Sequence, residues 1–361
     1  MILPTLGSIA LATALVVGPT PIAGDATTDP PQTHVTLAFT GDVLIHGGLS
    51  RVAATYGRPY DFRPMLEQVS ALISGADLAI CHLEVPLSPD DDHLSSYPRF
   101  NAPRQVADAL AFAGFDGCST ASNHAYDAGR DGVLGTIGIL SAAGLGHAGT
   151  ADGLANGWRA TMYDLGGVRV AHIAATYWLN GMKLPDDSPW LVQNLDVEEV
   201  LGVAAAARAN GADLVVVSMH CCVEYRTAPT ERQVDIAHQL IASPYVDLVV
   251  GHHSHVVGPV EKVGSKYILY GLGNFLSGQR QMPSLSDGVV VFAQASKKAG
   301  GWSFDSIQAV PTLVERGTYR VREADPGSDS YQRTMAALAS MGTRITWYRP
   351  RARLYERGRL I

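Results

Sequence analysis

Three histidines stand directly after an apolar run: His252, His253 and His255. Residues 246–250 are short, rich in valine and followed by Gly251, a pattern typical of a buried strand that ends in a tight turn. Alternate side chains of extended backbone point the same way, so we expect His253 and His255 to face one side of a loop as a pair of metal ligands. The alternative is a polar loop whose histidines bind only water or backbone groups.

Polar side chains follow four other apolar runs, at residues 35–40, 77–80, 117–121 and 213–218. The carboxyl ends of strands in an open α/β sheet converge on one crevice, and carboxylate, amide and imidazole groups together suit divalent Mn, Fe or Zn. Taken singly, Asp42 could cap a turn, Asn123 could favour a turn and His220 could be an ordinary buried histidine. Five such positions together favour a metal site. The candidates are Asp42, Glu84, Asn123, His124, His220, His253 and His255.

Helix-like segments alternate with these strand-like runs, which predicts an α/β fold. A further pair of strands is predicted at residues 158–165 and 168–174, joined by a turn at Gly166 and Gly167. The predicted helices cover residues 64–74, 103–113, 132–143, 197–210 and 230–242.

The composition is that of a globular protein with an ample core. The chain has 361 residues, 47% of them hydrophobic and 17% charged, which allows one large or two ordinary domains. A net charge of -7 argues against a nucleic-acid partner, because such proteins normally present a basic surface. It does not argue against a small anionic substrate, because a bound cation can invert the local potential.

The first residues are apolar and small, and a polar segment containing prolines follows them. We therefore predict a signal peptide over residues 1–24, a polar linker over residues 25–33, and an exported protein, secreted or held at the cell envelope. No Lys or Arg precedes the apolar run. The alternative is an uncleaved N-terminal membrane anchor, although the run is shorter than the roughly 20 residues that usually span a bilayer.

Four cysteines, Cys81, Cys118, Cys221 and Cys222, lie in or beside apolar runs. Adjacent cysteines rarely pair with each other, and a domain of this size does not need disulfides for stability. We predict buried free thiols. The absence of Cys-x-x-Cys spacing also argues against a cysteine-ligated zinc site.

Six sequence blocks in this order resemble the bacterial capsule-synthesis proteins of the CapA or poly-γ-glutamate biosynthesis type, within the calcineurin-like metallophosphoesterase superfamily. The resemblance covers roughly residues 35–275 and implies a four-layer α/β/β/α sandwich of the metallophosphoesterase type, which we assign to residues 34–315. It implies a metal-dependent hydrolase or transferase with two divalent ions. The alternative is a non-catalytic accessory subunit that binds or exports an anionic polymer beside membrane-bound synthesis proteins. The blocks are residues 41–43, 83–87, 122–129, His220 with 224–225, 251–257 and 270–275.

The resemblance also implies a role for each candidate residue. Asp42 and His255 would hold one metal, Glu84 would bridge, and the second metal would bind Asn123, His220 and His253. His124 would be catalytic. Leu44 departs from the Asp-x-His of the wider superfamily, so water or His46 could complete the first site, and Cys221 with Cys222 replaces an aromatic-glycine pair. Residues expected to orient the ligands or to touch substrate are His46, Asp127, Glu224 and Asn274.

The C-terminal section, residues 316–361, is rich in arginine towards its end. A solvated tail or a helix packed on the domain is the ordinary interpretation. Contact with anionic lipid or with an acidic polymer such as poly-glutamate is the alternative. The arginines concerned are Arg344, Arg349, Arg351, Arg353, Arg357 and Arg359.

Overall fold

The computed structural model describes residues 33–155 and 157–348, and the backbone of residues 359–360. The predicted signal peptide, nearly all of the predicted linker, and Arg349, Arg351, Arg353 and Arg357 lie outside the described residues. Within the described part of the chain, no helix combines the length and apolar character needed to cross a membrane.

The helices of the described chain form on amphipathic segments. In the second helix, Met65, Leu66, Val69, Leu72 and Ile73 are buried, which is the spacing of one helical face. The helices are α1 Gly47–Tyr56, α2 Arg63–Ser74, α3 Gln105–Ala113, α4 Gly129–Ala142, α5 Val197–Ala209, α6 Glu231–Ala242 and α7 Asp329–Ala339.

The strands are mostly short and apolar. They are β1 His34–Leu44, β2 Leu78–Leu83, β3 Leu87–Ser88, β4 Ala102–Pro103, β5 Gly117–Ser119, β6 Gly146–Ala148, β7 Thr161–Asp164, β8 Arg169–Thr176, β9 Leu214–His220, β10 Leu248–His252, β11 Val260–Val263, β12 Lys266–Leu269, β13 Asn274–Ser277, β14 Asp287–Lys298, β15 Gly301–Val314, β16 Val321–Glu323, β17 Thr346–Trp347 and β18 Arg359–Leu360.

Two large sheets make up the centre of the fold. The first runs in the order β16-β15-β14-β1-β2-β5-β6, with β13 also paired to β1 and β17 to β15. The second runs in the order β11-β12-β10-β9-β8-β7-β18. Strands β1, β2, β5 and β6 are parallel, as are β8, β9, β10 and β12. Their carboxyl ends therefore gather at one edge of each sheet.

The two sheets face each other across an apolar core, and helices cover their outer faces. Side chains of β1 and β14 meet those of β8, β9 and β10 between the sheets. Helices α2 and α3 pack on the outer face of the first sheet, and α5 and α6 on that of the second. Every residue of β9 is buried, as expected for a strand covered on both faces. The predicted α/β/β/α sandwich is confirmed by these four layers.

The first sheet continues past residue 315. Strand β16 pairs with β15 through residues 312–314, and α7 packs against β15. Leu338 of α7 is wholly buried in the core between the sheets. The described part of the C-terminal section thus contributes a strand and a helix to the domain.

The prediction of free thiols was wrong. Cys81 and Cys118 are direct partners in the register of β2 and β5, with Cα atoms 4.4 Å apart, and their sulfurs are placed in bonding contact. This pairing was not visible from a sequence separation of 37 residues. The sulfurs of Cys221 and Cys222 are likewise placed as a disulfide.

Candidate metal centre

The site lies between the carboxyl ends of the two sheets. The first sheet contributes Asp42 from β1, Glu84 directly after β2, and Asn123 with His124 after β5. The second contributes His220, the last residue of β9, and His253 with His255 after β10. All seven of these predicted residues are buried.

A glycine permits the close packing at this edge. A Cβ atom on Gly251 would collide with the carbonyl oxygen of Tyr270. Only glycine therefore fits immediately before the three histidines, and the reason is a close approach of backbone rather than a tight turn.

The expected extended backbone at the histidines was wrong. His253 has φ 85° and His255 has φ 56°, so both lie in the left-handed region, which non-glycine residues seldom adopt. Their ring centroids are 6.2 Å apart with the planes tilted by 54°. The two imidazoles meet through left-handed backbone, and such local strain is typical of functional sites.

Two groups of potential ligand atoms share Glu84. One group is Asp42, Glu84 and His255, and the other is Glu84, His220 and His253, with the ligand atoms of each group within 4.8 Å of one another. His255 Nδ1 lies 3.0 Å from Asp42 Oδ2, and His255 Nε2 lies 3.7 Å from Glu84 Oε1. A carboxylate common to both groups is the arrangement that a pair of cations would need.

The amide of Asn123 is oriented by a residue that sequence reasoning did not find, Asn180. Asn123 Nδ2 donates to Asn180 Oδ1 at 3.2 Å, and Asn123 Oδ1 therefore faces His220 Nε2 at 2.9 Å. Asn180 itself has φ 51°, a conformation that asparagine tolerates better than most residues. The oxygen of Asn123, which is the atom able to bind a metal, is thereby directed into the site.

Glu84 is the strongest indication that a cation belongs here. Its side chain is 0% exposed, and neither carboxylate oxygen has a hydrogen-bond partner among the described residues. Burial raises the pKa of Glu84 well above its usual range, because an isolated buried carboxylate is costly. A proton or a cation must therefore compensate it, and the surrounding imidazoles make the cation the fitting partner.

The histidines around Glu84 are in the states that a metal site requires. Burial lowers the pKa of His253 to about 4, and it lowers the pKa of His220 well below its ordinary value, so both imidazoles are neutral. Burial also disfavours the charged form of His255, but the carboxylates around it, led by Glu84 and Asp42, outweigh burial and raise its pKa. Neutral imidazoles and carboxylates are the donor set of Zn, Fe and Mn sites.

His124 stands at the mouth of the site. Its Nδ1 lies 2.6 Å from Asp127 Oδ2, and the same carboxylate oxygen accepts from the backbone N–H of Phe100 at 2.7 Å. Asp127 therefore fixes the ring of His124. An open cavity of about 290 Å³ lies beside it, lined by Tyr97, Pro98, Arg99, Asn123, His124, Asp127, Asn180, Met182 and Glu224.

The other residues expected near the ligands have separate positions. His46 Nδ1 is 3.1 Å from the carbonyl oxygen of Leu44 and accepts from the backbone N–H of Gly278, and the ring belongs to none of the ligand groups found in the described residues. Glu224 Oε1 lies 3.4 Å from His255 Nε2. Asn274 Nδ2 donates to Gln279 Oε1 and to the carbonyl oxygen of Leu285, both at 3.0 Å, so this amide holds its own loop.

Two buried histidines were missed as part of the site. His82 and His252 come within 4.8 Å of Asp42 and form a third group of potential ligands. A signal for His82 existed, because it stands two residues before Glu84 and so on the same side of β2. His252 was visible beside His253, but nothing in the sequence distinguished its role.

A family model confirms the resemblance. The model described as "Bacterial capsule synthesis protein PGA_cap" matches residues 36–279, more than half of the chain. The chain belongs to the bacterial capsule synthesis protein family. This capsule-synthesis protein therefore has its candidate ligands within the family region, from Asp42 to His255.

Curated relatives agree with the family. The "Capsule biosynthesis protein CapA" of Bacillus anthracis is 28% identical over 68% of this chain and 60% of that protein. The "PGA biosynthesis protein CapA" of Bacillus subtilis is 24% identical over 82% of this chain and 80% of that protein. A "Probable polyglutamine synthesis accessory protein" of Mycobacterium tuberculosis is 28% identical over 62% of each. The match thus spans about three fifths of the Bacillus anthracis relative.

Solved structures give weaker likenesses. The calcineurin-like phosphoesterase YfkN of Bacillus subtilis has a TM-score of 0.47 and 15% identity over 84% of this chain and 97% of that chain. The NAD nucleotidase NadN of Haemophilus influenzae has a TM-score of 0.47 and 12% identity over 88% of this chain and 65% of that chain. Both TM-scores lie below 0.5, so the fold assignment stands on the four layers described above.

Proposed function

We propose that this capsule-synthesis protein is a metal-dependent hydrolase or transferase of the phosphoesterase type, acting in the synthesis of a capsule-like envelope polymer. The observation that carries the proposal is Glu84, a wholly buried carboxylate without hydrogen-bond partners that is common to two groups of ligand atoms. Family membership supplies the biological setting, and the substrate and partners are part of the proposal.

Seven described side chains fit two divalent cations, of Mn, Fe or Zn. Asp42, Glu84 and His255 would hold one, and Glu84, Asn123, His220 and His253 the other. When bound, such a pair acts as a Lewis acid on a phosphoryl oxygen and lowers the pKa of water. The ring nitrogens and carboxylate oxygens that would bind are already oriented by hydrogen bonds within the protein.

His124 and the cavity beside it would treat the substrate. With Nδ1 held by Asp127, the imidazole keeps Nε2 for a substrate oxygen, where it can donate a proton or stabilise charge. Arg99 lines the same cavity and forms no ion pair with any residue that the structure describes. Its guanidinium would favour an anionic substrate over a neutral one.

The test combines metal content with turnover. We expect chelator-free wild type to retain near-stoichiometric metal and to hydrolyse a generic phosphomonoester or phosphodiester with added Mn²⁺. His253→Ala and His220→Ala should lose metal and activity together. His124→Ala should keep its metal, because this ring is not a ligand, and lose about 10²–10⁴-fold in rate. Unchanged metal content in both ligand variants would refute the assignment.

A second function is a non-catalytic accessory subunit that binds or exports an anionic polymer beside membrane-bound synthesis proteins. Leu44 favours it, because this side chain lies in the helix-side core and leaves the Asp42 group with three protein ligands. The Mycobacterium relative, named an accessory protein, is consistent with it. Equal trace rates in wild type, His124→Ala and His253→Ala, together with binding of poly-γ-glutamate by all three, would select this function.

A further inference from the structure

His82 lies beneath the candidate metal centre, at the end of β2, and is 0% exposed. Both of its ring nitrogens have partners. Nδ1 is 2.7 Å from Ser119 Oγ, and Nε2 is 2.9 Å from Nδ1 of His220. Its ring face stacks on His252 with centroids 4.1 Å apart. His82 therefore joins the first sheet to the ligand histidine of the second.

His82 is poorly placed to bind a cation together with His252, although Asp42 is near both. The two rings are nearly parallel, at an interplanar angle of 14°. The lone pair of an imidazole nitrogen lies in the plane of its ring, so two stacked rings direct their lone pairs along parallel planes rather than at one ion. The contacts of His82 point instead to an action through His220.

The hydrogen bonds of His82 can be followed proton by proton. Ser119 Oγ also lies 3.4 Å from the carbonyl oxygen of Cys81, which can only accept. If the hydroxyl donates there, Ser119 Oγ accepts from Nδ1–H of His82. Neutral imidazole carries one N–H, so Nε2 of His82 is then an acceptor. Its partner, Nδ1 of His220, must therefore carry the proton.

This arrangement leaves Nε2 of His220 with a free lone pair. That nitrogen faces the carbonyl oxygen of Asn123 at 2.9 Å, and the oxygen is also an acceptor, because Asn123 Nδ2 donates to Asn180. Two acceptors at this distance repel unless a cation lies with them. With a metal bound, the order Cys81, Ser119, His82, His220 is therefore the direction in which every proton has a place.

We propose that His82 is a positioning residue that accepts a hydrogen bond from Nδ1 of His220 and thereby fixes the tautomer that presents Nε2 to the metal. A hydrogen bond of this kind to the second nitrogen of a metal-binding histidine orients the ring and typically contributes 10–100-fold to metal affinity. The inference rests on the metal-binding part of the proposed function.

The experiment compares Zn²⁺ affinity, measured by competition with a chelator, in three variants and wild type. His82→Phe keeps a ring for stacking but removes the acceptor, and we expect about 10–100-fold weaker binding. His82→Gln restores a carbonyl acceptor and should recover part of the loss. The matched control is His172→Phe, because His172 is also fully buried, has a serine partner, Ser218, at 2.9 Å, and contacts none of the assigned ligands. Its affinity should equal that of wild type.

A measurement on wild type keeps the inference testable if His82→Phe does not fold. In Zn²⁺-loaded protein with ¹⁵N-labelled histidine, NMR should show the imidazole proton of His220 on Nδ1, with a coupling across the hydrogen bond to Nε2 of His82. A proton on Nε2 of His220, or equal affinity in His82→Phe and wild type, would overturn the role of His82 alone. Failure of wild type to bind metal would overturn the proposed function itself.

Discussion

Replacement of Glu84 by glutamine tests the centre through stability rather than turnover. In the metal-free protein, burial raises the pKa of Glu84 well above its usual range, so the side chain carries a proton at neutral pH. Glutamine has nearly the same shape as a protonated glutamate and is also neutral. We therefore expect Glu84→Gln to change the metal-free free energy of unfolding by no more than about 1 kcal/mol.

The metal-loaded protein should respond differently. A ligand that binds only the folded state at 100 times its Kd stabilises it by about 2.7 kcal/mol. An unfolding entropy of about 2.1 cal/mol/K per residue, over roughly 315 described residues, amounts to about 0.7 kcal/mol/K. Metal should thus raise the Tm of wild type by about 4 °C. Glu84→Gln should lose most of this rise, because a neutral amide cannot bridge two cations as a carboxylate does.

The assay is differential scanning calorimetry of chelator-treated protein with and without added Mn²⁺ or Zn²⁺. The matched control is Asp247→Asn, since Asp247 is a carboxylate at the amino end of β10, away from the centre, where it pairs with Arg208. This variant should lose stability equally with and without metal. A metal-dependent rise in Glu84→Gln equal to that of wild type would refute the assignment of Glu84 as a shared ligand.

Two further predictions concern pH and export. Burial lowers the pKa of His172 to about 3, so between pH 6.5 and 3 the unfolded chain binds a proton that the folded chain does not, and stability falls as pH falls. Denaturant titration of metal-free protein should show that His172→Phe loses about 1 kcal/mol less than wild type between pH 6.5 and 5.5; identical losses would contradict this origin. For export, residues 1–33 fused to a reporter active only outside the cytoplasm should give signal, and a silent but expressed fusion would contradict it.

The sequence was sufficient for the layers that surround the site. Parallel strands buried on both faces appear as short apolar runs, and helices separate them, so the order of β1, β2, β5, β9 and β10 was predictable. The long antiparallel pair of β14 and β15 was not predicted. Its position beside β1 depends on pairing between residues about 250 positions apart, such as Val35 with Ala295, which local patterns do not encode.

The candidate ligands were predictable for the same reason, but the residues that orient them were not. His82 contacts His220 across 138 residues of sequence and from the opposite sheet. Asn180 comes from a loop that ends no predicted ligand strand, and its partner Asn123 is 57 residues away. Contacts between sheets depend on how the two layers face each other, and neither strand periodicity nor motif spacing contains that information.

Leu44 shows how a departure in sequence acquires a physical meaning from the fold. Strict alternation along β1 would place residue 44 on the side of Asp42, but the register of β1 against β13 shifts between Asp42 and Val43. Leu44 is 2% exposed and packs in the helix-side core. The Asp42 group thus has three protein ligands, whereas the group that includes Asn123 has four.

This inequality weakens the accessory interpretation more than it supports it. Fewer ligands imply weaker binding at the Asp42 group, which is the argument for a vestigial centre. Structural zinc sites, however, are closed by four protein ligands, whereas catalytic sites have three and keep one position open for water or substrate. Glu224, which contacts His255 of the three-ligand group, also lines the cavity beside His124. The open position would therefore be near the residue that is proposed to treat the substrate, and the absence of a ligand at residue 44 is consistent with turnover.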